Sequence, residues 1–289
     1  MLTGDDMKEL IKRFFTSEDK QNISEITQME FDNILSTIPE QVWSAAHSAD
    51  KHIVSRYDEV GLHIIRCILA QRIYEHRVAK YIKPSYKEYD QFMEEGYVTI
   101  SDFDKQRDAE KFNALMEVIT LGTHTKTNWN TRVDVGGEYD IQHTLHIDTF
   151  HPAFKAFTYN NAVTPDEGPF AFVPGTHKNS LGKLKLLYNT SNNRTKAILD
   201  EKLERSQDHE RWTESFRLDL GTTNCIDDDS INSKLASYNL PAEELVLGDA
   251  NTLIIADTSG LHRKYPAKTG HKRETGRFVL PRLNPFKID

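Results

Sequence analysis

The stretch His143-Thr144-Leu145-His146-Ile147-Asp148-Thr149-Phe150-His151 places three imidazoles and a carboxylate within nine residues. Read as a strand, its side chains alternate between faces, so His146 and Asp148 point one way and His143 the other. An imidazole nitrogen and a carboxylate oxygen on one face make two corners of a metal site. A bare His-x-Asp arises by chance in a chain this rich in His and Asp, and its usual reading is structural. The decision therefore falls to the rest of the chain.

A second segment supplies a third corner. Leu253-Ile254-Ile255-Ala256 reads as an apolar strand, entered from the turn Leu247-Gly248-Asp249-Ala250, and it leads through Asp257-Thr258-Ser259-Gly260-Leu261 to His262. Two histidines and one carboxylate on a β-scaffold match the facial triad that holds a non-haem Fe(II) while leaving positions for a co-substrate and O2. Two arginines follow. Arg277 leads into Phe278-Val279-Leu280, which reads as a strand, whereas Arg273 is followed by Glu274-Thr275-Gly276, which reads as a turn. A guanidinium at a pocket edge suits bidentate capture of a carboxylate, and the strand context favours Arg277 over Arg273.

Outward from these segments, residues 1–85 read as helical. Apolar residues recur at helical spacing in Met7–Phe15, Glu30–Leu35 and Gln41–Asp50, and most clearly in Val60–Ile82, which Pro84 stops. Tyr89–Ile100 reads as a short helix capped by Gly96 and running into a strand, and Asp104–Leu121 as a further helix. Short strands then dominate: Tyr139–Asp148, Ala156–Tyr159, Phe170–Val173, Glu244–Leu247 and Thr252–Ala256. Residues 180–243 read as a polar insertion with an amphipathic helix near Ala197–Glu214. Helices first and short strands later suggest an antiparallel β-core with a helical wrap.

The 289 residues carry 36 Lys and Arg against 44 Asp and Glu, a formal charge of −8 that argues against a nucleic-acid or acidic-membrane partner. Two cysteines exclude a disulfide scaffold. No secretory leader and no long apolar run are visible, so a cytoplasmic protein is the expectation. The oligomeric state is not legible.

Taken in order, the motifs resemble the phytanoyl-CoA dioxygenase-like family of Fe(II)/2-oxoglutarate-dependent oxygenases. Phe92-Met93-Glu94-Glu95-Gly96-Tyr97-Val98 resembles its opening segment. Gly168-Pro169-Phe170-Ala171-Phe172-Val173-Pro174-Gly175-Thr176-His177 resembles its Pro-Gly-Ser/Thr-His segment, and Leu247-Gly248-Asp249 with His262-Arg263 its closing one. The resemblance covers about 86–289, apart from much of 180–243, and implies a mainly β fold with α: a cupin-like double-stranded β-helix, or jelly roll, with flanking helices. Residues 1–85 are then expected as a helical N-terminal extension packed on it. It implies that His146, Asp148 and His262 bind Fe(II). It also implies that 2-oxoglutarate is co-substrate with O2, its far carboxylate held by a basic residue after His262. Arg273 stands at the family's usual interval, Arg277 in the family's strand context. Lys264 replaces the small residue common two positions past the distal histidine, and Phe157 the common tryptophan.

The implied reaction oxidises a C–H bond of a small metabolite, an amino-acid-derived or natural-product intermediate in some biosynthesis. Hydroxylation is the default, desaturation and oxidative cyclisation share its start, and succinate and CO2 are released. Asp148 disfavours halogenation, which needs a small residue there. Two rivals are a zinc-dependent hydrolase built on His143, His146 and His151, and a catalytically silent β-helix binding protein. His177 reads as a local loop cap rather than a ligand. Trp129, Arg132, Glu138, Tyr139 and Gln142 are candidate substrate contacts.

Overall fold

The computed structural model describes residues 3–45, 57–123, 129–137, 140–199, 216–217, 228–278, 280 and 283–288. The chain opens with α1 (Gly4–Phe14), α2 (Ser17–Thr27), α3 (Phe31–Thr37), α4 (Glu40–Ala45) and α5 (Leu62–Val78). Two of these begin with reciprocal caps: the Thr3 and Thr16 hydroxyls accept from the backbone of Asp6 and Asp19, whose carboxylates reach back. Helix α6 (Lys87–Glu95) ends at Gly96, whose φ of 86° only glycine adopts freely, and the chain turns directly into β1 (Tyr97–Ile100). Glycine is needed there twice over, because a Cβ would collide with the His177 ring.

After α7 (Ala109–Ile119) come β2 (Trp129–Val135), β3 (His146–Ile147), β4 (Phe154–Tyr159) and β5 (Phe170–Phe172). Then follow α8 (Leu181–Leu199), β6 (Phe216–Arg217), α9 (Asp228–Ser237), β7 (Glu244–Val246), β8 (Leu253–Asp257), β9 (His262–Lys264) and β10 (Lys272–Phe278). The strands form two five-stranded sheets, β1-β8-β4-β10-β2 and β6-β3-β9-β5-β7, with every pairing antiparallel. From β2 to β5 the chain alternates sheets, stays in the second for β6 and β7, then alternates again to β10. That winding is a double-stranded β-helix, the jelly roll expected from the sequence.

Three apolar layers follow from strand parity. Between the sheets lie Phe157, Tyr159, Phe170, Phe172, Val246 and Ile254. The opposite parity of the first sheet, with Val98, Ala156, Leu253 and Ile255, is covered by Phe92 of α6, Phe112 and Leu115 of α7, and Tyr74 of α5. Leu145, Ile147, Val173 and Leu261, around the second sheet, share a cluster with α1, α3, α5, Leu184 and Leu187 of α8, and Ile231 of α9.

Several local expectations need correction. The helix of the 180–243 segment starts at Leu181, not near Ala197, and Leu184, Leu186 and Leu187 are fully buried, so its first half is core rather than polar surface. Most of the expected helix at Ala197–Glu214 lies outside the described residues. The helix expected to run to Asp50 is described only to Ala45. Helix α2, with few apolar residues, was not foreseen. The expected strand at Tyr139–Asp148 is reduced to His146–Ile147 after a 3-10 turn at Ile141–His143. The turn expected after Arg273 is instead the middle of β10, because Thr275 and Gly276 pair with β2 on one side and β4 on the other. No helix among the described residues is long and apolar enough to cross a membrane.

If α8 shares the core, Leu187→Ala costs about 2–5 kcal/mol in urea unfolding. A cost below about 0.5 kcal/mol would place Leu187 at the surface.

Candidate metal centre

Antiparallel pairing sets His146 of β3 directly opposite His262 of β9. Opposed residues in such a ladder project to the same face with close Cβ atoms, and the two ring centroids lie 4.4 Å apart. Asp148, two residues on, is held at the same level by its backbone N–H, which donates to the Thr258 carbonyl at 2.9 Å. Its Oδ1 lies 3.7 Å from Nε2 of each histidine. One ligand atom from each of the three residues falls within 4.8 Å of the others, the sole such grouping of His, Cys, Asp or Glu among the described residues.

The hydrogen bonding of the rings shows what they are built to hold. His146 Nδ1–H donates to the Thr144 carbonyl at 2.7 Å and His262 Nδ1–H to the Gly260 carbonyl at 2.9 Å. Each bond fixes the tautomer and turns the Nε2 lone pair inward. Both Nε2 atoms are buried without a hydrogen-bond partner, a costly state for a polar atom unless a ligand completes it. Burial drives His146 down to about 3 and His262 to about 4, so both are neutral donors at physiological pH. Burial alone would raise Asp148, but His262, Lys155 and His146 outweigh it and hold the carboxylate well below its ordinary value. Two neutral imidazoles and one carboxylate fit a divalent first-row metal such as Fe(II). Gly260 is part of this geometry: a Cβ there would strike the Phe172 ring.

The two arginines have different surroundings. Arg273 is buried, donating to the Gly168 carbonyl at 2.6 Å and to Asp134 Oδ2 at 3.1 Å. Lys264 sits 3.1 Å from Asp134 and 3.2 Å from Asp140, so it joins the same network. Burial would raise Asp134, but Arg273 and Lys264 hold it at about 2. Arg277 shares the parity of Arg273 and stands opposite Phe157, an interior residue. Its side chain has no ion pair or hydrogen bond among the described residues. The residue as a whole is exposed, yet partial desolvation of its guanidinium, followed by the charge of Arg132, pulls its pKa down.

The other histidines stay apart. His143 Nδ1 accepts from the Asp140 N–H, and His151 Nδ1 lies 3.0 Å from the Pro152 carbonyl. The trio His143, His146 and His151 proposed for zinc is therefore not assembled. His177 Nε2 donates to the Met93 carbonyl at 3.3 Å, tying the loop to α6. Arg132 pairs with Asp134 at 2.7 Å and Gln142 donates its N–H to Asp140, while Glu138 and Tyr139 lie outside the described residues. One neighbour was missed in the sequence: Lys155 of β4 places Nζ 2.5 Å from Asp148 Oδ2. Its signal was parity, since it lies two residues before Phe157 on the inward side.

No known family model matches the chain, and no curated protein resembles it in sequence. Several solved structures are similar to it in fold. EctD from S. alaskensis with bound Fe is 12% identical, covering 70% of this chain and 80% of its own at a TM-score of 0.38. HygX from Streptomyces hygroscopicus with iron bound is 12% identical, covering 68% of this chain and 85% of its own at a TM-score of 0.33. SnoK, a non-heme alpha ketoglutarate dependent carbocyclase from nogalamycin biosynthesis, is 12% identical over 68% and 84% at 0.32. At that identity and superposition, these likenesses fix no residue's role.

The buried histidines make stability pH-dependent. His177, driven to about 3 by burial, takes up a proton in the unfolded chain near pH 6.5 but not in the folded one. The unfolded state therefore binds more protons below about pH 6.5, and stability falls as pH drops through that window. In metal-free protein, His177→Gln keeps a donor for Met93 and removes this share, flattening the urea-measured dependence between pH 6 and 4 by up to about 1.4 kcal/mol per unit. Identical slopes in the two proteins would contradict a neutral buried His177.

Proposed function

We propose that the chain is an Fe(II)- and 2-oxoglutarate-dependent dioxygenase of the phytanoyl-CoA dioxygenase-like family. Its reaction is oxidation of a C–H bond in a small metabolite. The observation that carries this reading is the pair of buried, partnerless Nε2 atoms facing one carboxylate oxygen. His146, His262 and Asp148 would hold the iron. The iron, with 2-oxoglutarate and O2, supplies an oxidant strong enough for an unactivated C–H bond, with succinate and CO2 leaving.

The chain's own residues bind and orient. Arg277 is the cation free to take the far carboxylate of 2-oxoglutarate, because Arg273 already holds Asp134 and Gly168. Phe157, Phe170 and Phe172 wall the interior and exclude water from the reacting centre. Hydroxylation is the default outcome, with desaturation or ring closure differing only in the fate of the substrate radical. An acidic chain without a basic stripe supports a small-molecule substrate, such as an amino-acid-derived or natural-product intermediate, over nucleic acid.

Anaerobic addition of Fe(II) and 2-oxoglutarate should give a visible metal-to-ligand charge-transfer band that Asp148→Ala abolishes. A well-folded wild-type protein without the band would overturn the oxygenase reading. Followed by the same band, Arg277→Ala should weaken 2-oxoglutarate binding by about thirtyfold, as expected for a lost carboxylate clamp. If Arg273→Ala weakens it more than Arg277→Ala, the anchor is Arg273.

A further inference from the structure

We infer that Lys155 is a positioning residue that keeps Asp148 bound to the metal through one oxygen only. The inference rests on the metal reading of His146, Asp148 and His262, and extends it to a residue outside the triad.

The two oxygens of Asp148 are used differently. Oδ1 lies equidistant from both histidines, 3.7 Å from each Nε2. Oδ2 is turned away from them onto Lys155 Nζ at 2.5 Å. That is a short, charge-assisted contact to a mostly buried carboxylate, unlike a loose surface pair. A carboxylate binds a metal through one oxygen or both. In a facial triad the second mode takes a position that the co-substrate or O2 requires. A cation fixed on the outer oxygen opposes it.

The fold puts Lys155 there by register. On β4 it shares the inward parity of Phe157 and Tyr159 and stands opposite Ala256 on β8. The alanine opposite leaves room for the lysine stem. The adjacent strand end is fixed, since Asp257 Oδ1 accepts from the Ala153 N–H at 3.1 Å. The side chain is about half exposed (48%), so it is not needed to fill the core. Removing its charge should leave the fold intact, a separation that most residues beside a buried metal site do not offer.

The test uses the full chain loaded anaerobically with cobalt(II), whose ligand-field absorption reports coordination, and then titrated with 2-oxoglutarate. Lys155→Met should change the cobalt spectrum before any 2-oxoglutarate is added, as the freed oxygen reaches the metal. It should then weaken 2-oxoglutarate binding by about tenfold or more, the scale usual for residues that orient a metal ligand. Lys155→Arg, which keeps a cationic donor, should restore both. A Lys155→Met protein with the wild-type cobalt spectrum overturns the inference. It does so even if 2-oxoglutarate binds more weakly, because the lysine would then be touching the co-substrate and not Asp148. Failure of the wild-type protein to bind cobalt or 2-oxoglutarate would instead strike the underlying metal reading.

Discussion

The pairing of β3 with β9 is the constraint on which the site depends. Strand β3 has two residues and β9 three, yet their one register match, His146 with His262, sets the distance between the two unpartnered Nε2 nitrogens. A slip by one residue would send each histidine to the opposite face. The Asp148 N–H to Thr258 carbonyl bond extends the pairing past the strand ends and brings the carboxylate to the same level. The triad is thus a product of backbone hydrogen bonding. Flexible side chains reaching toward a common point are not needed to assemble it.

So short a ladder has to be braced from outside, and the helices do this. Arg66 of α5 stacks 4.0 Å from the centre of the Phe150 ring, two residues past Asp148, and Phe150 stacks on Phe286. Lys183 of α8, itself buried, donates to the Ser259 carbonyl at 3.1 Å, three residues before His262. Asp257 Oδ1 accepts from the N–H groups of Ala153 and Ser259, tying the loop after Asp148 to the loop before His262. Burial pushes this carboxyl up to about 6, so its two backbone donors matter for keeping it charged. The apolar cluster of Leu145, Ile147 and Leu261 with α1, α3, α5 and α8 adds the larger, non-directional share of this bracing.

Much of this was legible from residue order. The antiparallel β-core with its helical wrap, the alternation that aligns His146 with Asp148, the Gly96 helix end and the apolar strand before His262 all follow from period and turn chemistry, while the jelly-roll winding was implied by the family resemblance. Other features were illegible for identifiable reasons. Helix α2 has few apolar residues and is held by its Thr16–Asp19 cap and by Arg72, whose guanidinium grips Asp19. Glu274 and Gly276 make their segment read as a turn because both are depleted in strands, but β10 lies between two partner strands that supply the hydrogen bonds. The polar character of 180–243 hid Leu184 and Leu187, which depend on α5 and α9 for their burial. For Lys155 the sequence offers only its inward parity with Phe157, because its meaning comes from Asp148 on another element. The net charge of −8 likewise gave no hint of the cations at the site: Lys155, Lys264, Arg273 and Arg277 gather around three aspartates.

Backbone register alone brings His146, Asp148 and His262 together, and on the proposed function they bind one iron. Crystals soaked anaerobically in Fe(II) and measured at the iron absorption edge test it most directly. One anomalous peak per chain is expected, bonded to Nε2 of His146, Nε2 of His262 and a single oxygen of Asp148. A map with no peak there, in crystals that show both histidines ordered, would contradict it.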